Sequence, residues 1–313
     1  MLHFIKLTRP INLLVIALTM YVMHGLFLRC TWGGIIVTTV APDEYIGFIF
    51  SDVYFALLVF STLLIAAAGN IINDYFDVKI DRINKPEKLI VDRFIKKRKA
   101  ILFHTILNFI AVVVALFIWY KTGSYWAIIF HFATTSALWM YSGVLKRKFL
   151  SGNVTIGILT ALVPLLVYLY DKDTGGYYKT EHEMAFYTMG YFAVFAFFTT
   201  LIREIQKDFA DMKGDSFYNC KTVPLYLGIK KGRIILFSIF AITIGVFIAL
   251  FVMLAKFNEI NIAFFACVGV FMAVSLFQSF KAIKRKDWIN AATSMKLVMI
   301  VALIFFALKI YVG

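Results

Sequence analysis

Asp74, Asp77 and Asp81 stand in the run Asn73-Asp-Tyr-Phe-Asp-Val-Lys-Ile-Asp81, and the same D-x2-D-x3-D spacing returns 134 positions later as Asp208, Asp211 and Asp215. On an α-helix, positions i, i+3 and i+7 fall within an arc of roughly 60°, so each set aims three carboxylates in one direction. Each set also follows directly on a long apolar run. Carboxylates are costly beside hydrocarbon and are kept there chiefly for function. Two matched triads at the mouths of two apolar helices therefore read as one polyvalent metal site with oxygen ligands. One such triad alone reads as a salt-bridged helix face; the equal spacing of two copies favours the metal.

The segments that follow are basic as well as acidic. Lys79, Arg82, Lys85, Lys88 and Arg93 surround the first triad, and Lys207, Lys213 and Lys221 the second. A site rich in both signs suits a highly anionic substrate held through a divalent cation. Mg²⁺ keeps several waters and bridges one or two carboxylates to substrate phosphates, so two triads can share one diphosphate while Lys and Arg neutralise the remaining charge.

The elements that position these groups are membrane helices. The chain is 61% hydrophobic, with 33 Phe and only 5 Pro in 313 residues, and no soluble domain is left over. Windows of about 20 mainly apolar residues lie near 10–29, 53–73, 100–120, 124–141, 153–170, 184–203, 234–255, 259–280 and 291–312. The first follows Lys6 and Arg9 without a small-residue cleavage pattern and reads as a span, not as a removable signal peptide. With nine spans, 26 of the 32 Lys and Arg fall on one side or its helix ends, the exceptions being Arg29, Lys121, Lys172, Lys179, Lys256 and Lys309. The positive-inside rule makes that side cytoplasmic, together with both triads, and puts residues 30–52 and 171–183 outside. The net charge of +14 thus expresses topology and attraction to anionic lipid, not nucleic-acid binding. The repeated triads suggest two related four-helix halves, spans one to four and five to eight, plus a final helix, with the site where the halves meet.

Cys30, Cys220 and Cys267 are isolated, odd in number and give no disulfide framework. His104 and His131 lie inside spans, where they read as packed or hydrogen-bonded core residues. Phe192, Phe195, Phe197 and Phe198 read as lipid-facing or helix-packing residues.

These segments carry a family resemblance. Asn70-Ile-Ile-Asn-Asp-Tyr-Phe-Asp-Val-Lys-Ile-Asp81 resembles the N-D-x-x-D-x-x-x-D signature of the UbiA superfamily of intramembrane prenyltransferases, and Arg203 to Asp215 resembles its second, D-x-x-x-D-type signature. Tyr141-Ser-Gly-Val-Leu-Lys146-Arg147 is similar to the Y-S-x-x-L-K-R segment after that family's fourth span. Lys221-Thr-Val-Pro-Leu-Tyr-Leu-Gly228 is similar to its K-T-L-P-x-x-L-G segment. The likeness covers nearly the whole chain, including Arg9-Pro10 before the first span.

The resemblance implies an all-α integral membrane fold, nine transmembrane helices around a central cavity with cytoplasmic cap loops, in a single domain over 1–313. It implies Mg²⁺-dependent transfer of a prenyl group from an isoprenyl diphosphate to a lipophilic acceptor. Asn73, Asp77 and Asp81 match the first metal motif and Asp211 and Asp215 the second, with Asp74 and Asp208 in the companion acidic positions. Asn70, Arg9, Arg82, Lys146, Arg147, Arg203 and Lys207 are the implied substrate contacts. Tyr141 and Ser142 match positions near the reacting end of the prenyl chain, where Tyr141 is counted with the catalytic aspartates. The metal acts where negative charge grows on the leaving diphosphate, and the apolar cavity keeps water from an allylic cation.

The acceptor is less constrained. Ile83 to Val91 replaces the family's common N-R-P-x-R-P-I-P-S-G pattern, so the second Pro and the Ser-Gly turn are missing. This variant looks like a bacterial branch grouped with geranylgeranylglyceryl-phosphate prenyltransferases. It implies a glycerol-phosphate lipid acceptor and a bacterial cytoplasmic membrane, and the basic residues of 79–99 suit that acceptor. A 4-hydroxybenzoate or other aromatic acceptor is the alternative within the class. A transporter that binds a cation for passage is the alternative outside it, and the absence of acidic residues midway through the spans speaks against it.

Overall fold

Arg9-Pro10 divides a short N-terminal helix, α1 (Leu2–Thr8), from the first long one, α2 (Pro10–Trp32). Proline suits the first helical position because the N–H it lacks would have no partner there. Arg9 turns the chain with a left-handed φ of 56°. In the computed structural model, which describes residues 2–32, 52–174, 182–254 and 259–312, eight more long helices follow. They are α3 (Val53–Asn84), α4 (Lys97–Thr122), α5 (Trp126–Gly143), α6 (Ser151–Thr174), α7 (His182–Phe217), α8 (Val223–Leu254), α9 (Glu259–Lys281) and α10 (Arg285–Val312). No strand occurs among the described residues.

Eight of the helices are long and apolar enough to cross a membrane. The window at 124–141 corresponds to α5, which is not among those eight, because its 18 residues include His131, Thr134, Thr135 and Ser136. Of the stretches expected on the outer face, 30–52 and 171–183, residues 33–51 and 175–181 lie outside the described residues, as does Lys256.

The apolar windows stop short of the helix ends, and the difference matters. Hydrocarbon about 30 Å thick is crossed by about 20 residues, whereas α3 has 32 and α7 has 36. Both acidic sets are thus carried on helical extensions and not on loops. α3 begins where the Asp52 carboxylate accepts from the amides of Tyr54 (2.8 Å) and Phe55 (3.0 Å). It ends where Lys85 N–H donates to the Asp81 carbonyl and Pro86 follows, since the residue before a proline is pushed out of helical geometry. α4 ends on Gly123 at φ 76°, the left-handed cap glycine accepts without strain. α8 is broken at Gly228, whose φ/ψ of 79° and 161° is not helical.

The chain divides into two compact units. The first comprises Met1–Gly143, Leu162–Gly190 and Phe306–Gly313, and the second Val144–Ala161 and Tyr191–Phe305. This departs from a simple four-plus-four halving, because the end of α6 belongs to the first unit. The reason is polar and aromatic: Asp171 Oδ1 meets His24 Nδ1 at 2.9 Å, Ser124 Oγ donates to Asp173 Oδ2 at 3.1 Å, and Tyr170 packs on Phe55. Within this unit α3 is central, packing on α1, α2, α4 and α5. A core of Leu7, Ala67, Ala68, Ile71, Val78 and Ala100 lies around it, the small side chains allowing close helix approach. His104 Nδ1 meets the Ala68 carbonyl at 3.0 Å and His131 Nε2 meets Ser61 Oγ at 2.7 Å, so both histidines are hydrogen-bonded core residues. In the second unit, Phe209 stacks on Trp288 and Phe264 on Phe305. Gln206 reaches Ser275 and Ser279 at 3.0 and 2.9 Å.

Candidate metal and diphosphate site

The first acidic set occupies the last three turns of α3. Asn73 Nδ2 donates to Asp77 Oδ2 at 2.9 Å across one turn, fixing a carboxylate that is only 4% exposed. Asp74 faces Arg9, whose Nη2 donates to its Oδ1 at 2.5 Å. Partial burial works against the charge of Arg9; Asp74, with Asp77 and Tyr141 also near, outweighs it and raises the guanidinium above its ordinary value. Asp81 lies 4.0 Å from Lys85. Asn70 spends its amide on the Thr8 carbonyl at 2.9 Å, which holds the elbow that carries Arg9. Arg82 is turned to Asp92 of the following loop at 2.6 Å. Tyr141 is half-buried, and the buried Ser142 hydroxyl has no hydrogen-bond partner among the described residues.

The second acidic set lies near the end of α7, in the other unit. Asp208 Oδ2 accepts from Asn153 Nδ2 of α6 at 2.8 Å. Asp211 Oδ1 accepts from Arg285 Nη2 at 3.4 Å, and Asp215 is buried. One turn before Asp208, Glu204 takes Arg203 at 3.0 Å and Lys207 at 2.5 Å, and Lys146 lies close enough to act on the same carboxylate. Three of the expected diphosphate contacts thus gather round one half-buried acid. Arg147 is exposed, and its carbonyl accepts from Lys221 N–H at 2.8 Å.

Lys146 is positioned by close backbone packing. A Cβ added at Gly152 would sit 2.7 Å from Lys146 Cα and 3.1 Å from the Leu145 carbonyl oxygen, and backbone atoms cannot swing aside. Gly152→Ala should therefore cost about 1–3 kcal/mol and move Lys146. Gly190, where an added Cβ meets nothing within 4 Å, is the control. Thermal melts of the two alanine variants check this, and equal melting temperatures would contradict it.

Among the described residues no three His, Cys, Asp or Glu side chains form a ready-made metal cluster. Helical spacing explains this. Positions i to i+7 share a face but are about 10 Å apart along the axis, too far for one cation to meet all three. The donor set is all oxygen, which fits Mg²⁺, an ion that takes one or two protein carboxylates and completes its shell with water and phosphate. Asn73, Asp77 and Asp81, and Asp211 and Asp215, are the residues that fit it best.

Glu204, Asn153 and Arg285 are near neighbours of the motif that its spacing did not single out. Glu204 stands inside the second signature segment, four residues before Asp208, and that helical interval was its only signal. Arg285 stands in the run Lys284-Arg-Lys286, which reads as topology.

Residues 26–304 match the family model described as UbiA prenyltransferase family. The chain is 32% identical over 196 residues to digeranylgeranylglyceryl phosphate synthase of Pyrococcus horikoshii, covering 63% of this chain and 61% of that protein. It is 34% identical over 193 residues to the protein of the same name from Methanosarcina mazei, covering 62% and 61%. The chain thus spans about three fifths of the length of these relatives. Its fold is similar to that of a UbiA homolog from Archaeoglobus fulgidus bound to DMAPP and Mg²⁺, with a TM-score of 0.62 and 16% identity over 99% of each chain.

Proposed function

Because this integral membrane protein belongs to the UbiA prenyltransferase family, we propose that it transfers an isoprenyl group from a prenyl diphosphate to the hydroxyl of a glycerol-phosphate lipid, forming an ether. The likeness to digeranylgeranylglyceryl phosphate synthases carries the choice of acceptor. The Mg²⁺ and allylic diphosphate of the Archaeoglobus relative support the donor and the cation, and the all-oxygen acidic sets support both.

In the reaction the bond between prenyl C1 and the diphosphate oxygen breaks, and its electron pair leaves with diphosphate. The acceptor oxygen bonds to C1, and its proton passes to the released diphosphate. Bound Mg²⁺ supplies Lewis-acid stabilisation of the leaving group. The protein does the rest. Asp77 and Asp81, with Asn73 and Asp74, and Asp211 and Asp215, with Asp208, would provide the oxygen ligands. Lys146, Arg203 and Lys207 exchange Glu204 for the more highly charged diphosphate, with Arg9, Arg82 and Arg147 as outer contacts. Tyr141 and Ser142 would lie toward C1, and the apolar membrane helices would house the tail and exclude water.

Purified protein given Mg²⁺, a series of prenyl diphosphates and mixed acceptors should yield, by mass spectrometry, a prenyl ether of a glycerol-phosphate lipid. A product prenylated on an aromatic ring would replace this acceptor, and no release of diphosphate would remove the enzyme reading. The Lys and Arg distribution supports a cytoplasmic membrane with both acidic sets facing the cytoplasm. Single cysteines at 85–96 and at 218–222, in a cysteine-free background, should label from that side only, and labelling from the outside would reverse the orientation.

A further inference from the structure

The turn between α9 and α10 reaches the second acidic set from a stretch whose charges otherwise look like a topology signal. Trp288 on the first turn of α10 stacks on Phe209 of α7, ring centres 4.3 Å apart and planes 13° from parallel. Arg233 of α8 lies over the Trp288 ring at 5.4 Å and donates to the carbonyls of Phe280 and Ala282. Asp287 accepts from the amides of Ile283 (3.1 Å) and Lys284 (2.8 Å). The backbone on both sides of Arg285 is therefore tied down. Its Nη2 donates to Asp211, while its Nε is buried and has no hydrogen-bond partner among the described residues. Buried N–H groups are nearly always paired, so this one marks a place for an acceptor that is not protein.

The geometry points to Arg285 as the anchor for the phosphate of the acceptor lipid. The inference rests on the glycerol-phosphate reading above. In such a lipid the phosphate is a few bonds from the attacking hydroxyl, and that hydroxyl must reach C1 of a donor whose diphosphate needs carboxylates such as Asp211 to hold its cation. The acceptor phosphate is therefore expected close to Asp211, which Arg285 touches. Arg203 and Lys207 are already grouped on Glu204 for the diphosphate. Arg285 comes from a separate turn, and its planar fork can keep one N–H on Asp211 while Nε and its neighbour take two phosphate oxygens.

Steady-state kinetics of the full chain in detergent, with prenyl diphosphate and geranylgeranylglyceryl phosphate varied in turn, test this. Arg285→Ala should raise KM for the phosphorylated acceptor roughly ten- to a hundredfold and leave the donor KM unchanged. Arg285→Lys should recover part of the loss, and Lys286→Ala should match wild type. With an acceptor lacking the phosphate, wild type and Arg285→Ala should perform alike. Equal rises in both KM values, or no rise, would overturn the assignment. So would a fall in kcat with a shifted Mg²⁺ requirement and an unchanged acceptor KM, which would make Arg285 a positioning residue for Asp211. Wild type that releases diphosphate but never prenylates the phosphorylated acceptor would overturn the proposed function along with this inference.

Discussion

Asp77→Asn and Asp211→Asn should each lower prenyl transfer by roughly a hundred- to a thousandfold, the range expected when a group stabilising transition-state charge is removed, while both variants stay monodisperse with near-native melting temperatures. The amide keeps an oxygen acceptor where each carboxylate is used now. Asn73 still has an oxygen to donate to at position 77, and Arg285 still has one at position 211. What is lost is the negative charge that a hard divalent cation requires. Near-normal turnover in either variant would remove that residue from the metal site, and loss in one set alone would argue against a site shared by both.

Arg203→Ala should cost roughly ten- to a hundredfold in affinity for the prenyl diphosphate or in rate, as expected for a charge-assisted hydrogen bond. Its guanidinium is already ordered by Glu204 at 3.0 Å, so substrate meets a group that has little freedom left to lose. Arg203→Lys should restore only part of the loss, because an ammonium keeps the charge without the planar fork. Lys286→Ala supplies the comparison: it is exposed, on a basic turn, and one residue from a side chain that does touch the motif. Should it prove as damaging as Arg203→Ala, the basic residues would be acting through general electrostatics and the clamp would fall.

Spacing alone identified both acidic sets, because i, i+3, i+7 is a helical signature that survives without any tertiary information. The family resemblance, and not spacing, added Asn73, whose amide holds Asp77 one turn away. Hydropathy located the membrane helices but ended α3 and α7 too early, since a helix persists past the hydrocarbon for as long as its caps and hydrogen bonds allow. The same measure favoured a span at 124–141 that does not reach the hydropathy of its neighbours. Asn153 and Arg285 were invisible for a different reason. Each approaches the second set from a distant part of the chain, and only packing such as the Phe209–Trp288 stack brings them there. Arg82 and Asn70 illustrate the converse: motif membership did not disclose that one pairs with Asp92 and the other holds the Thr8 carbonyl.

The machinery that inserts membrane proteins meets these helices one after another, and α5 is the long helix least suited to partition on hydrophobicity alone. His131 and Thr135 need partners where no water is at hand. Those partners are Ser61 on α3, at 2.7 Å, and Asn108 on α4, at 3.1 Å, and both helices are synthesised earlier. Only a short connection separates α4 from α5, so the two can leave the translocation channel as a hairpin with these bonds already forming. The order of synthesis thus favours insertion of the helix that carries Tyr141 and Ser142 in its last turn, and a mutation at Ser61 or Asn108 is expected to act by leaving that segment outside the bilayer, apart from any effect on chemistry.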